Sequence, residues 1–257
     1  MLRNPPNILR ALGILFGWYT VQFIVGMLIY GLLQDVPNSL WINLLINVFA
    51  TVFIVGAVLK HTGLSVSGLL DDSNNRFVST ASLLFPPIFL TTFASMWWFA
   101  DLQTVVIQLL PDDQATMIYL TDLLSGGFVA FVGVCLIAPL VEEILFRGIV
   151  LRGLLHHYSP GVAITLSACL FAIFHFNLYQ LLVAFVMGIF FGWIYLKSRS
   201  LWPCIFGHAC YNGAAYFMFD ADRQFSLNDF DTNLISFGLS MLGVYVLYIL
   251  FRSQPNN

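Results

Sequence analysis

Long apolar runs recur along this sequence and set the strongest limit on what it can fold into. The runs are about 17 to 25 residues long and lack the period-two alternation of membrane strands. Hydrophobic residues make up 59% of the 257 residues, and charged residues only 9%. Because the bilayer core offers no hydrogen-bond partners to the backbone, such runs must form helices. The sequence therefore predicts an all-α, polytopic membrane protein.

The apolar runs predict about eight transmembrane helices joined mostly by short connections. No linker, repeat or charged tract divides the chain, which favours a single integral-membrane domain over residues 1–257 with a motif-bearing core at 125–219. The predicted spans are residues 8–33, 40–59, 81–100, 124–141, 161–176, 178–196, 201–219 and 233–251.

The basic residues predict the orientation, because Lys and Arg collect on the cytoplasmic side of a membrane. With both termini in the cytoplasm and eight crossings, nine of the ten basic residues fall inside and only Arg223 falls outside. Most aspartates then lie outside, so the charge pattern fits a lipid bilayer and gives no sign of a nucleic-acid partner. The nine inner residues are Arg3, Arg10, Lys60, Arg76, Arg147, Arg152, Lys197, Arg199 and Arg252.

Glu142 and Glu143, the only glutamates of the chain, stand side by side in the apolar segment 138–149. A charge near the bilayer centre costs on the order of 2.5 to 3.5 kcal/mol, so such groups normally face a bundle interior or a hydrated cavity. Glu143 and Arg147 are spaced i, i+4, which suits an ion pair on one helical face. Glu142 points about 100° away around the helix and has no charge partner on its own segment.

A helical hairpin supplies a candidate partner for Glu142. Pro160 and Gly161 mark a turn, and an antiparallel helix is predicted to run on to residue 177. Glu142 lies 16 residues before Tyr158, and His175 lies 16 residues after Ser159, so a tight hairpin places the two at one height. Phe171, one turn from His175 on the same face, is predicted to form a wall that limits water.

His208 and Asn212 form a third polar element, because their i, i+4 spacing puts both on one face of the seventh predicted span. If Arg152 and Arg199 mark the membrane interface, Glu142 and His208 both lie about 14 to 15 Å deep. Polar groups on three helices at one depth favour a functional cavity over purely structural hydrogen bonding.

The other histidines and the cysteines are interpreted without a functional role. The histidines fall in predicted cytoplasmic turns, and the cysteines lie inside apolar spans without a CxxC pair or a disulfide framework. Cys210, beside His208, is the one thiol that could join a ligand set. These residues are His61, His156 and His157, and Cys135, Cys169, Cys204 and Cys210.

Three short motifs occur in order on separate predicted helices: EExxxR from Glu142 to Arg147, FxxxH from Phe171 to His175, and HxxxN from His208 to Asn212. In this order and spacing the chain resembles the CPBP family of intramembrane proteases, which includes the type II CAAX prenyl endopeptidases and the bacterial Abi-like proteins. The resemblance covers residues 138–213 and implies an eight-helix fold similar to the layout above.

The resemblance implies an intramembrane endopeptidase with a polar cavity open to the cytoplasmic side. Glu142 would act with His175 to position and deprotonate a water for attack on the scissile carbonyl. His208 and Asn212 would donate hydrogen bonds to the oxyanion. Glu143 and Arg147 would be the supporting pair.

The residue types also leave a zinc alternative open, in which Glu142, His175 and His208 hold a metal that activates the water. The HExxH signature of zinc proteases is absent and the ligands lie on three helices, which favours a mechanism with no required cofactor. The GxSG and GxGD signatures of serine and aspartate intramembrane proteases are absent too.

The resemblance implies a peptide or protein substrate. In a eukaryote this would be a prenylated C-terminus cut at the endoplasmic reticulum. In a bacterium it would be a small peptide cut at the plasma membrane, which the compact chain favours. The alternative is a non-catalytic binding or immunity protein, or a transporter, that uses the same cavity. Transporters more often show matched pairs of broken helices, which are not found here, and Pro139 could instead kink its helix to present Glu142.

Overall fold

A computed structural model describes residues 4–32, 39–72, 77–110, 114–218 and 230–253 of the chain. Within these ranges the backbone is almost entirely helical, and its one β-type pairing is an isolated bridge between Asp71 and Ser200. The all-α prediction is confirmed. The helices are α1 Ile8–Leu32, α2 Leu40–Thr62, α3 Val66–Leu70, α4 Phe77–Leu109, α5 Gln114–Ser125, α6 Gly127–Leu154, α7 Pro160–Ile173, α8 Leu178–Ser198, α9 Trp202–Met218 and α10 Phe230–Ser253.

Six of the described helices are long and apolar enough to cross a membrane, which confirms a polytopic protein. They are α1, α2, α4, α6, α8 and α10. The fifth and seventh predicted spans are helical too, but α7 has only 14 residues and α9 has 17. The count of eight crossings and the orientation of the termini stay predictions. Among the basic residues behind that orientation, Arg3, Arg76 and Arg223 lie outside the described ranges.

Helix α6 changes its winding along its length. Two stretches, Gly133–Ile137 and Ile144–Leu151, have π-helical hydrogen bonding, and the α-helical stretch Ala138–Glu143 lies between them. Pro139 sits at the start of this middle stretch and has no N–H to donate. Single turns of π-helix disturb the regular side-chain spacing and are frequent at functional sites.

The second half of α6 lies at the centre of the molecule. Every residue from Leu145 to Leu154 is buried, and this stretch packs against α7, α8, α1 and the short α3, while α9 packs on the preceding half of α6. Helices α7 and α8 form an antiparallel hairpin beside it and approach closely at Gly188, where an added Cβ would lie 2.8 Å from the Cβ of Ala168. Helices α4 and α10 pack together on another side, and α1 pairs with α2. The site residues on α6 therefore face a packed interior.

Candidate active site

The ion pair predicted on α6 is present and fully enclosed. Nη1 of Arg147 donates to Oε1 of Glu143 at 2.9 Å, and the two side chains are 1% and 0% exposed. Nη2 of Arg147 donates to the carbonyl of Gly188 on α8 at 3.3 Å, and the guanidinium lies over the ring of Phe171. Because the charge is paired, hydrogen-bonded and stacked, the pair fixes α6 against its neighbours.

The same carboxylate oxygen also binds His208, a contact that sequence reasoning missed. Nδ1 of His208 lies 2.8 Å from Oε1 of Glu143, and the ring stacks on Phe191. The i, i+4 spacing identified Arg147 as a partner for Glu143, whereas a partner on α9 leaves no signal in local spacing. Because the same Oε1 atom already accepts from Arg147, Nδ1 of His208 is assigned as the donor, and its Nε2 faces Glu142.

His175 lies in a turn, and here the sequence prediction of a helix through residue 177 is wrong. Helix α7 ends at Ile173, Phe174 caps it, and α8 begins after Asn177. The Asn177 side chain accepts from the backbone N–H of Tyr179 and caps the start of α8, which begins at Leu178 as the predicted span 178–196 has it. Nδ1 of His175 lies 2.7 Å from the carbonyl of Phe171. Since a carbonyl only accepts, Nδ1 carries the proton and Nε2 is free to accept one.

The two imidazoles converge on Glu142. Oε2 of Glu142 lies 3.9 Å from Nε2 of His175 and 3.8 Å from Nε2 of His208. This oxygen is buried and has no hydrogen-bond partner among the described residues, although the side chains of Glu142 and His175 are still about a fifth exposed. The equal heights expected from the hairpin register are thus found in the structure. Three potential proton acceptors face one another at the edge of the buried core.

Asn212 is turned toward the π-helical part of α6. Its Nδ2 donates to the carbonyl of Val134 at 2.9 Å. In a π-helical register that carbonyl would receive the N–H of residue 139, and residue 139 is proline. Asn212 therefore satisfies an acceptor that Pro139 leaves without a backbone donor. One hydrogen of the Asn212 amide remains for a second partner.

Aromatic rings enclose the polar groups on the core side. Phe171 contacts the ring of His175 edge to face at 4.7 Å and that of His208 at 5.8 Å. Phe146 packs against Phe171 from the opposite side. Phe171 lies where the sequence predicted it, and its ring also covers the guanidinium of Arg147 at 4.5 Å.

The zinc alternative finds no support in the donor geometry. Across the described ranges, no three His, Cys, Asp or Glu side chains are grouped so that they could hold a metal ion. The separations of 3.8 and 3.9 Å around Glu142 exceed the roughly 3.3 Å between two ligands of a tetrahedral zinc. Cys210 does not complete such a set.

The remaining histidines lie away from this cluster. His61, His156 and His157 are exposed at helix ends, and Nε2 of His157 lies 3.0 Å from the carbonyl of Pro5. Partial burial, with His157 and Arg152 nearby, lowers the pKa of His156 below its usual value. All four cysteines are free thiols, buried or half-buried within the helices, as their positions in the sequence predicted.

Comparison with known proteins points to one group of membrane enzymes. Residues 124–214 match the family model described as "Type II CAAX prenyl endopeptidase Rce1-like". A 77-residue stretch is 32% identical to the "Putative membrane peptidase YdiL" of Bacillus subtilis (strain 168) and covers 30% of this chain. The chain spans about a third of the length of that curated relative, 32%. No solved structure matches the chain.

Proposed function

We propose that this chain, whose residues 124–214 carry the signature of the CPBP family, is an intramembrane peptidase in which Glu142 activates water. One observation carries the proposal: the convergence of Oε2 of Glu142 with the Nε2 atoms of His175 and His208. The family match supports a peptidase in general. The catalytic roles are those that the resemblance implies, and the distances between these groups support them.

Glu142 and the two histidines beside it suit a water molecule as their common partner. Separations of 3.8 and 3.9 Å are too long for direct hydrogen bonds and are within the reach of two bonds of about 2.8 Å through one water. A water has two O–H donors, which Glu142 and Nε2 of His175 can accept. The phenyl wall of Phe171 keeps bulk solvent away from this point and strengthens the electrostatics there.

Peptide hydrolysis follows from this arrangement. The water oxygen bonds to the carbonyl carbon, and a proton of the water passes to Glu142. The electron pair of the C=O bond moves onto the carbonyl oxygen, which becomes the oxyanion. When the tetrahedral intermediate collapses, the C–N bond breaks and the proton passes from Glu142 to the leaving amine. The carboxylate is then regenerated, and Glu142 has acted first as base and then as acid.

His208 is placed to stabilise the oxyanion. With Glu143 accepting from Nδ1, protonation at Nε2 gives an imidazolium whose second N–H donates to the developing negative charge. The remaining N–H of Asn212, one turn further along α9, is a second candidate donor. Glu143 and Arg147 thereby orient His208 and leave Glu142 free to react.

The substrate is a peptide bond presented at the membrane. A cavity that opens to the cytoplasmic side would admit a CAAX-like C-terminus, prenylated in a eukaryote, or a small peptide in a bacterium. The cleavage assay must therefore include both kinds of peptide.

The first test is cleavage of a labelled peptide library by purified protein in detergent, with and without a chelator. We expect Glu142→Gln and His175→Gln each to lose about a thousandfold in activity while staying folded. His61→Gln, an exposed histidine at the end of α2, is the matched control and should keep full activity.

Two other outcomes of the cleavage assay would contradict this mechanism. Loss of wild-type activity in chelator would show a metal-dependent reaction. If the wild type cuts no peptide and Glu142→Gln binds peptides unchanged, the peptidase proposal is wrong and a binding or immunity role replaces it.

A further inference from the structure

The turn that carries His175 is held from outside the segment that matches the protease family. This turn runs from Phe174 to Asn177 between α7 and α8 and contains a strained residue, since Phe176 has φ +50°. A bulky residue rarely adopts the left-handed region, which costs on the order of 1 kcal/mol and persists only where the surroundings enforce it. The turn therefore needs outside support to keep His175 in place.

Tyr19 on α1 provides such support. Its hydroxyl donates to the carbonyl of Phe174 at 2.5 Å, across 155 residues of sequence. Carbonyls at a helix C-terminus have no partner within their own helix, so this bond satisfies a group that α7 leaves open. The Tyr19 ring also packs on Phe176 at 5.1 Å and on Phe174 at 5.7 Å. Tyr19 thus touches both sequence neighbours of His175.

Helix α1 is itself anchored at this level. The indole of Trp18 donates to Thr51 of α2 at 2.9 Å in a buried hydrogen bond, and its ring contacts Tyr19. The position of Tyr19 is therefore set by the packing of α1 and α2. Movement of α1 relative to α7 would shift the Phe174 carbonyl and, with it, the backbone of His175.

We propose that Tyr19 is a positioning residue that fixes His175 relative to Glu142. The proposal rests on the proposed function insofar as it concerns catalysis, but the structural link from Tyr19 to His175 stands apart from it. Inside the turn, the ring of His175 is held by its bond to Phe171, while its backbone is held by Tyr19. Loss of the hydroxyl would loosen Nε2 of His175 from its place 3.9 Å from Glu142.

The test is Tyr19→Phe, which keeps the ring packing and removes only the hydroxyl. Displacement of a catalytic group by about 1 Å can cost about a hundredfold in rate, so we expect kcat to fall about tenfold to a hundredfold. KM should stay within about twofold, because ground-state binding of the peptide is untouched.

The matched control is Tyr30→Phe on the same helix. The Tyr30 hydroxyl donates to Asn43 of α2 at 2.9 Å, so this variant also loses an interhelical hydrogen bond from α1 but lies away from His175. We expect Tyr30→Phe to keep the wild-type kcat. Thermal unfolding of both variants in the same detergent corrects each rate for the folded fraction.

A second readout needs no substrate. Carbethoxylation of His175 by diethyl pyrocarbonate, followed by mass spectrometry, should be several times faster in Tyr19→Phe than in wild type, with His61 unchanged as an internal reference. If both kcat per folded molecule and the rate at His175 equal those of wild type, the proposal is wrong. If the wild type cuts nothing but the rate at His175 still rises, the positioning role holds and the peptidase proposal fails.

Discussion

At the residue scale, two adjacent glutamates have separate tasks. Glu143 is fully buried, and one of its oxygens binds both Arg147 and His208. Glu142 is partly exposed, and its Oε2 lies 3.8 and 3.9 Å from the Nε2 atoms of His208 and His175. The helical offset of about 100° between neighbouring residues produces this division, because it turns one carboxylate into the core and the other toward the Nε2 atoms of His175 and His208.

The same substitution at the two glutamates should therefore have different effects on stability. Glu143→Gln leaves the buried Arg147 without its counter-charge, and removal of one partner of a buried pair costs about 3 kcal/mol or more. Glu142→Gln removes a charge with no partner on its own helix and should leave the unfolding temperature unchanged or slightly raised. Tryptophan fluorescence during thermal unfolding in detergent measures both. Equal unfolding temperatures would contradict the assignment of Glu143 as the structural member.

At the element scale, a proline and an asparagine on different helices form one unit. Pro139 leaves the carbonyl of Val134 without a π-helical donor, and Asn212 on α9 fills that place. This bond ties the irregular part of α6 to the helix that carries His208. The break at Pro139 thus gives α9 a fixed anchor on α6.

A double-mutant cycle tests this unit. Asn212→Ala should lower the free energy of unfolding by about 1 to 2 kcal/mol, because it leaves the Val134 carbonyl inside the bundle without a hydrogen-bond donor. In a Pro139→Ala background the new backbone N–H at position 139 can reach the Val134 carbonyl. Asn212→Ala should then lower the free energy of unfolding by a smaller amount, with a coupling of about 1 kcal/mol. Chemical unfolding of the four proteins in detergent gives the coupling. Additive effects of the two changes would refute the link.

The contact between α7 and α8 depends on the absence of one side chain. A Cβ at Gly188 would lie 2.8 Å from the Cβ of Ala168 and 2.9 Å from its Cα. These contacts are too close, and they could be relieved only by moving the α7 backbone. Gly188→Ala should separate the helices, weaken the bond from Arg147 to the Gly188 carbonyl, and destabilise the protein by about 1 to 3 kcal/mol.

Gly56→Ala on α2 is the control for this change, because its added Cβ meets open space. We expect Gly56→Ala to raise the free energy of unfolding by up to about 1 kcal/mol, because Ala has a higher helix propensity than Gly. Unfolding temperatures of the two variants, measured side by side, decide the comparison. If Gly188→Ala is as stable as wild type, close packing at this point does not limit the hairpin.

At the scale of the whole molecule, periodicity and depth predicted the helices and the meeting of Glu142 with His175 and His208. These follow from local rules: apolar runs form helices, and residues equally far from a turn lie at equal height. The break between α7 and α8 was predicted, but the end of α7 was placed beyond His175, because an apolar run hides where a helix ends. The bond from Glu143 to His208 and the support from Tyr19 join residues 65 and 155 positions apart, which local spacing does not reveal.

The orientation of the bundle decides which side supplies the substrate. Arg152 pairs with Asp72, whose N–H donates to the carbonyl of Arg199, and Trp193 near that end of α8 packs on Phe251 of α10. One end of the bundle therefore carries several of the basic residues. The hydroxyl of Tyr216 binds the carbonyl of Gly127 at the opposite end. Because Lys and Arg resist translocation, we expect the basic end to face the cytoplasm.

Single cysteines at the two ends test this orientation and, with it, access to the site. Glu142 lies ten residues from Arg152, about 15 Å from the basic end, so a cytoplasmic substrate would reach it from there. Ser253→Cys should react with a membrane-impermeant maleimide only after cells are opened, and Ser125→Cys should react in intact cells. The wild type serves as the blank, since its cysteines lie within the helices. The reverse pattern would place the basic end outside and require a substrate that arrives from the outer face.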